Sequence, residues 1–393
     1  MKKEWISPKV VTGTNATGSY YFQRTNVEQE IWRELKKGNN ILLSAPRRVG
    51  KTSVMKYITD APKENFKLIF ENVQGITTEE LFYKTLYFLI LNCLSTFKTN
   101  KKKIADYLKT TDITEIGLDS LRFQSRKLDY VWEINKIIPQ LEEKGETVVL
   151  LIDELPEVLY KLFKAGKNEA ASAILKNLRH WRQDESFKKL KFIIAGSIGI
   201  HHIVHLIEGR TSDINDIKNI HCPALDTNSN EFENYIEWTM ENVSFSFQEG
   251  VISYLKNRIK YLVPYFINLM LDEIDKAAMK KRQTIITTKE VDEAFDIIVK
   301  NNAYFIDWKQ RLKDYLKPNH FKFVNTILIH ISHKDSIIIQ QIYDYAVKYE
   351  EVDDYMDLIN DLKQDGYIME EGDKYVFISP FLKAFWRRNN PIF

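Results

Sequence analysis

The sequence predicts an α/β fold with a parallel sheet, followed by a helical region and a C-terminal group of helices with a hairpin. Short apolar runs at residues 41–43, 67–72, 148–152, 192–195 and 217–220 alternate with stretches of helical spacing. That alternation is the mark of parallel strands joined by right-handed helical crossovers. The run at 148–152 is five consecutive aliphatics, as expected of a strand covered on both faces. Strand-like runs then stop after Asp226 and helical spacing takes over. The expected division is an arm over 1–20, an α/β core over 21–226, a helical region over 227–317 and a C-terminal domain over 318–393.

Each element has a local reason. Residues 27–37 place Val27, Ile31 and Leu35 on one helical face, and Gly38-Asn39-Asn40 ends that helix as a C-cap does. The run at 41–43 reads as a central strand, with a helix over about 51–59 after it. Residues 67–72 form a second strand, 78–108 a helix, and about 128–143 another. Residues 231–300 read as helices, and the one over 264–280 opens with Pro264 at an N1-like position. After Pro318 come helices near 320–330, 339–348 and 353–363, then strands at 367–370 and 375–379 around the turn Glu371-Gly372-Asp373. Three short helices followed by a hairpin is a winged-helix arrangement.

Composition excludes several classes. Of 393 residues, 44% are hydrophobic and 28% charged, an ordinary balance for a soluble globular protein. The formal charge of +2 does not announce nucleic acid. Cys93 and Cys222 match no metal-ligand spacing and read as buried apolar residues in a reducing compartment. No apolar run follows Lys2 and Lys3, so no secretory signal is expected. The greasiest stretch, 81–97, carries Lys84 and Asn92 and falls short of the roughly 20 residues that span a bilayer. The expectation is a cytoplasmic protein with no membrane partner.

The strongest chemical signal is Ala45-Pro46-Arg47-Arg48-Val49-Gly50-Lys51-Thr52-Ser53. It has the phosphate-loop spacing GxxxxGK[ST], with Ala45 in place of the first glycine. A strand before it and a helix after it supply free backbone N–H groups and a positive dipole end for phosphate oxygens. Gly50 lets the backbone approach a phosphate, Lys51 reaches the β- and γ-phosphates, and the Thr52 hydroxyl binds Mg2+.

The second signal is Asp153-Glu154, two carboxylates at the end of the strand run 148–152. A carboxylate at the end of a buried strand is costly unless it serves a cation or a hydrogen-bond network. Asp153 fits the magnesium shell, and Glu154 fits the group that polarises the attacking water. The third is Ala195-Gly196-Ser197, where a strand ends in a small polar residue. Ser197 fits either a group bonded to the γ-phosphate or the attacking water, or a helix N-cap. No NKxD-type guanine motif is evident, so ATP is preferred over GTP.

Together these residues resemble the AAA+/STAND P-loop ATPases of the archaeal-type ATPase family. The loop has that family's "PRRxGKTS" form, and Phe22-Gln23-Arg24 with Glu28 and Glu30 looks like its "fxGRxxEl" box, with Gln23 in the glycine position. Asp153-Glu154 resembles its Walker B end, and Gly196-Ser197-Ile198-Gly199 its sensor strand. Pro264-Tyr265 resembles its "GxPyl" helix start, with Leu262 in the glycine position. Ser379-Pro380-Phe381-Leu382 and Phe385-Trp386 resemble the end of its winged helix. The resemblance covers about residues 20–390. It implies an ASCE-type sheet with an inserted catalytic-Glu strand, a helical lid and a C-terminal winged helix. It also implies slow, switch-like use of ATP with Mg2+, and places Pro264 beside the adenine base.

Arg47, Arg48, Arg179, Arg182 and Arg210 are candidates for the cation that phosphoryl transfer needs. Arg179 and Arg182 share a helix face, and at a subunit interface either would serve as an arginine finger. The winged-helix segment 353–363 carries Asp353, Asp354, Asp357 and Asp361 against Lys363, and residues 318–393 hold eight Lys and Arg against twelve Asp and Glu, a net of −4. Phosphate contact needs the opposite sign. The favoured reading is an ATP-driven switch acting on a protein partner or through self-association. The other is a DNA-associated ATPase, for which the basic clusters Lys98 with Lys101-Lys102-Lys103, Lys188-Lys189 with Lys191, and Lys280-Lys281-Arg282 are the better candidates.

Overall fold

A computed structural model describes residues 4–95, 128–139, 146–196 and 199–392. The chain divides into two compact units: Gln23–Ser44 with Lys51–His221, and Met1–Phe22 with Ala45–Gly50 and Cys222–Phe393.

The first unit is built on five parallel strands, β1 (Ile41–Ser44), β2 (Phe66–Asn72), β3 (Thr147–Asp153), β4 (Leu190–Ala195) and β5 (Lys218–His221). Their order is β2-β3-β4-β1-β5, so β4 stands between the strand before the phosphate-loop motif and the strand that ends in Asp153. An inserted strand is present as the resemblance implied, but it is β4, and Glu154 follows β3, so the inserted strand is not the one that carries the glutamate. Each strand falls within a residue or two of its expected run.

Val148, Val149, Leu150, Leu151 and Ile152 are all buried, as a strand sandwiched between helices requires. Burying each such side chain contributes about 1.5–3 kcal/mol. Asn40 pins β1 on both sides: its side-chain carbonyl accepts from the Phe192 amide at 2.9 Å, and its backbone carbonyl accepts from Lys218 at 2.8 Å. The preceding stop at Gly38 has φ +82°, the left-handed conformation of a helix C-terminus.

The helices Thr25–Lys36, Lys51–Asp60, Glu79–Ser95, Tyr130–Ile137, Leu155–Lys164, Asn168–Gln183 and Ile200–Glu208 fill the crossovers. The helix expected over 78–108 is described as far as Ser95, and Lys98, Lys101, Lys102 and Lys103 lie outside the described residues. Cys93 and Cys222 are buried and form no disulfide. Among the described residues no helix is long and apolar enough to cross a membrane.

In the second unit, Pro264 starts the helix Pro264–Lys281 at N1, as expected. The helices Pro318–Lys334, Ile339–Tyr349 and Tyr355–Gln364 are followed by β9 (Ile368–Glu371) and β10 (Lys374–Phe377). A short strand, β8 (Ile337–Ile338), pairs antiparallel with β10 to give the order β8-β10-β9. One aromatic core serves residues on both sides of Pro318: Phe266 stacks on Phe381 at 5.1 Å, and Phe305 on Phe381 at 6.2 Å. His320 ties the start of this region to the turn before Tyr355, with Nε2 3.0 Å from Glu351 and 3.4 Å from Asp354.

Burial, with Asp365 and Asp357 adding like charge, pushes Asp361 up to about 7. A carboxyl whose proton is held more tightly in the fold than in the unfolded chain makes the fold lose stability as pH rises from about 4 towards 7. Asp361→Asn is therefore expected to melt higher than the parent near pH 8 and level with it near pH 4. Thermal unfolding at the two pH values checks this, and a variant that melts lower at both would show the carboxylate to be a favourable contact instead.

Candidate functional site

β1 ends at Ser44 and the next helix begins at Lys51, so the segment 45–50 is a strand-to-helix loop. Its backbone turns through the left-handed region at Arg48 (φ +67°) and at Gly50 (φ +108°). A Cβ on Gly50 would meet nothing within 4 Å, so that position demands glycine for its backbone angle and not for space. Val49 is buried and anchors the loop, while Pro46 and Arg48 make contacts inside the second unit. Pro46 lies where a Cβ on Gly366 would come within 2.8 Å of it, and the Arg48 guanidinium stands 4.5 Å over the Tyr265 ring.

In the first unit, Lys51 opens its helix and is only 7% exposed, and Ser53 is buried beside it. The Thr52 hydroxyl donates to Asp153 Oδ2 at 2.6 Å. Asp153 is 1% exposed, and its other oxygen, Oδ1, is buried with no hydrogen-bond partner among the described residues. Burial raises the Asp153 carboxyl above its ordinary value, while the Thr52 hydroxyl and the Lys51 charge pull it down. A buried carboxylate oxygen with no donor is costly in a closed fold. A hard divalent cation takes oxygen ligands, one or two of them carboxylates. The Thr52 hydroxyl and the unsatisfied Asp153 oxygen thus fit Mg2+.

Glu154 follows immediately, as the residue between β3 and the helix Leu155–Lys164. It holds φ +62°, a left-handed conformation that costs a non-glycine residue roughly 1–2 kcal/mol. Such outliers persist where the surrounding structure over-determines them, and they cluster at functional sites. A Cβ on Gly196, just after β4, would come within 2.5 Å of Pro156 Cδ, so the end of β4 and the start of that helix are in close contact. Ser197 lies outside the described residues.

In the first unit Arg179, partly exposed, and Arg182, buried, are both engaged by acids. Arg179 donates to the Ser212 carbonyl at 2.7 Å and to Asp213 at 3.0 Å. Arg182 donates to Asp216 through two nitrogens at 2.9 and 3.0 Å, with its side chain 1% exposed. Spacing placed them on one helix face; the acids that engage them lie over thirty residues downstream, where no local pattern announces them. The same holds for residues that sequence reading missed. Arg311, Gly366 and Tyr367 all gather near the loop segment 45–50.

The five-stranded parallel sheet with β4 between β1 and β3 is the fold of AAA+ P-loop ATPases. The family model described as "AAA-like domain" matches residues 11–317, and the chain belongs to that family. Among solved structures, it is similar to the Walker-type ATPase PABY2304 of Pyrococcus abyssi at 17% identity, with a TM-score of 0.60 over 95% of this chain and 98% of that one. It is also similar to the ORC2 protein of Aeropyrum pernix, in its ADPNP and ADP complexes, at 12% identity and a TM-score of 0.55 over 98% and 95% of the two chains. No curated protein matches the sequence.

Proposed function

We propose that this protein is a Mg2+-dependent ATP-binding and ATP-hydrolysing switch that couples its nucleotide state to a protein partner. The observation that carries the proposal is Asp153: a buried carboxylate at the carboxyl end of β3, bonded to Thr52, with one oxygen unsatisfied. In this reading the backbone amides of 45–52 hold the phosphates, and Lys51 neutralises the β- and γ-phosphates. Thr52 and Asp153 hold the metal, and Glu154 orients and polarises the attacking water. A Mg2+ held by Thr52 and Asp153 would supply positive charge to offset the charge that develops on the phosphates. Ser197 is assigned to the γ-phosphate or the water, and Pro264 to the base. The ADPNP and ADP complexes of the similarly folded Aeropyrum protein are in keeping with this nucleotide class.

Residues 227–317 are read as the lid and 318–393 as a winged helix. A protein partner is favoured over DNA because of what the helices Ile339–Tyr349 and Tyr355–Gln364 present. Ile339, Tyr343 and Val347 recur at four-residue spacing and are 42%, 40% and 54% exposed. Asp353, Asp354 and Asp357 are exposed close by in sequence. An apolar stripe bordered by acids suits a protein surface and repels a duplex.

ATP turnover and molecular size, measured together with and without duplex DNA, test the proposal. Basal turnover indifferent to DNA is expected. DNA-stimulated turnover with ATP-dependent assembly would replace this reading with that of a DNA-associated ATPase.

A further inference from the structure

Among the described residues, three buried hydrogen-bond donors in the second unit have no acceptor. They are Arg47 Nη1, Arg311 Nη2 and Trp308 Nε1. Arg311 is 8% exposed and Trp308 1%, and both lie on the helix Ile306–Tyr315 at i and i+3, hence on one face. Tyr367 binds that face to the start of β9: its hydroxyl donates to the Trp308 carbonyl at 2.8 Å and its ring packs edge-on to Trp308 at 5.3 Å. Gly366, the residue before Tyr367, lies against Pro46, the residue before Arg47. These contacts bring the three donors to one neighbourhood.

The electrostatics of that neighbourhood are unbalanced. Burial lowers the Arg47 guanidinium below its ordinary value, and the positive charges of Arg311 and then Arg48 lower it further, against weaker support from Tyr367 and Asp307. Asp307 is exposed. Among the described residues neither Arg47 nor Arg311 has an ion pair. Two like charges brought close, largely out of water and short of acceptors, are destabilising, and an anion between them offsets that cost.

We propose that Arg47, Arg311 and Trp308 form a receptor for a phosphate-class oxyanion that pins the helix Ile306–Tyr315 and the β9 turn to the loop 45–50. A phosphate suits the donors better than a carboxylate. It offers acceptor oxygens in several directions and two charges, and guanidinium forks match its geometry. Two sources supply that chemistry: the terminal phosphate of a bound nucleotide, which rests on the reading above, and free orthophosphate, which does not. With the anion in place the C-terminal region is held on the loop; without it the two arginines repel, so anion occupancy sets how firmly that region is held.

The test is thermal unfolding of the full chain in a titration of orthophosphate at constant ionic strength, and separately with ATP or ADP plus Mg2+. Arg311→Met and Arg47→Met keep the apolar stem and remove the charge. Each is expected to melt at or above the parent without phosphate, because the repulsion is gone, and to lose at least about tenfold in phosphate affinity. Lys51→Ala marks the source. If orthophosphate fills the receptor, Lys51→Ala still responds to it while Arg311→Met does not. If the nucleotide fills it, ATP stabilises the parent more than ADP does, and Arg311→Met erases that difference. A nucleotide reading that failed would leave ATP without effect but the orthophosphate arm intact. The proposal is overturned if both arginine variants melt lower by the same amount with and without anion, or if they respond to phosphate and ATP as the parent does.

Discussion

Lys51→Ala is expected to abolish ATP binding and to lower turnover by at least about 100-fold, the scale on which removing one preorganised charge from a phosphate site acts. The side chain is placed for this by its position. As the first residue of the helix Lys51–Asp60 it sits where that helix offers its free amides, and it is 7% exposed, so its geometry is set by packing. Its charge reaches the carboxyl ends of two other strands. It lowers the Asp153 carboxyl against the burial that raises it, and together with burial it lowers His221 at the end of β5. Loss of the ammonium therefore acts twice: the phosphates lose a cation, and Asp153 is left to hold its proton more tightly, which weakens it as a metal ligand. Alanine is the better helix former, so the helix itself survives the change. Equilibrium binding of a fluorescent ATP analogue and phosphate release, with Lys51→Arg beside Lys51→Ala, separate these effects. Arginine's broader planar fork does not reproduce lysine's compact point charge, so Lys51→Arg is expected to recover binding only in part. Parent-like turnover in the alanine variant would place the nucleotide elsewhere on the chain.

The parts of this molecule that could be read from the sequence are those whose chemistry needs neighbours along the chain. A strand that hands its end to a phosphate loop must be contiguous with it, so 41–53 announced both the element and the role expected of it. The same is true of Asp153-Glu154 at the end of five buried aliphatics, and of Pro264 at a helix start. The place of β4 between β1 and β3 came from resemblance alone, since strand order is set by crossovers that leave no local mark. Arg311 and Tyr367 were invisible for the same reason. An arginine within a polar helical stretch has the signature of a solvated residue, and only the fold brings it against Arg47. For Arg179 and Arg182 the spacing showed a shared helix face, while their contacts with Asp213 and Asp216 come from the fold.

Glu154→Gln is expected to keep ATP affinity while cutting turnover by about 10²–10⁴-fold, the span that a positioned general base contributes. The amide keeps the size and the backbone of the glutamate and removes only its basicity. The nucleotide then stays bound as triphosphate, and a quenched single-turnover assay should recover ATP and not ADP. Asp153→Asn makes the contrast: it should weaken binding as well, because its oxygens are the ones matched to the metal and to Thr52. The backbone supplies an independent check. Glu154 holds φ +62° at the start of the helix Leu155–Lys164 with no side-chain cap bond to recoup the cost. Glycine at that position relaxes the strain, so Glu154→Gly is expected to melt higher than the parent by the equivalent of about 1 kcal/mol while losing turnover. A residue kept in a costly conformation for structural reasons would show the opposite pairing, with lower stability and unchanged catalysis. Full turnover in Glu154→Gln would mean that the attacking water takes its orientation from another group.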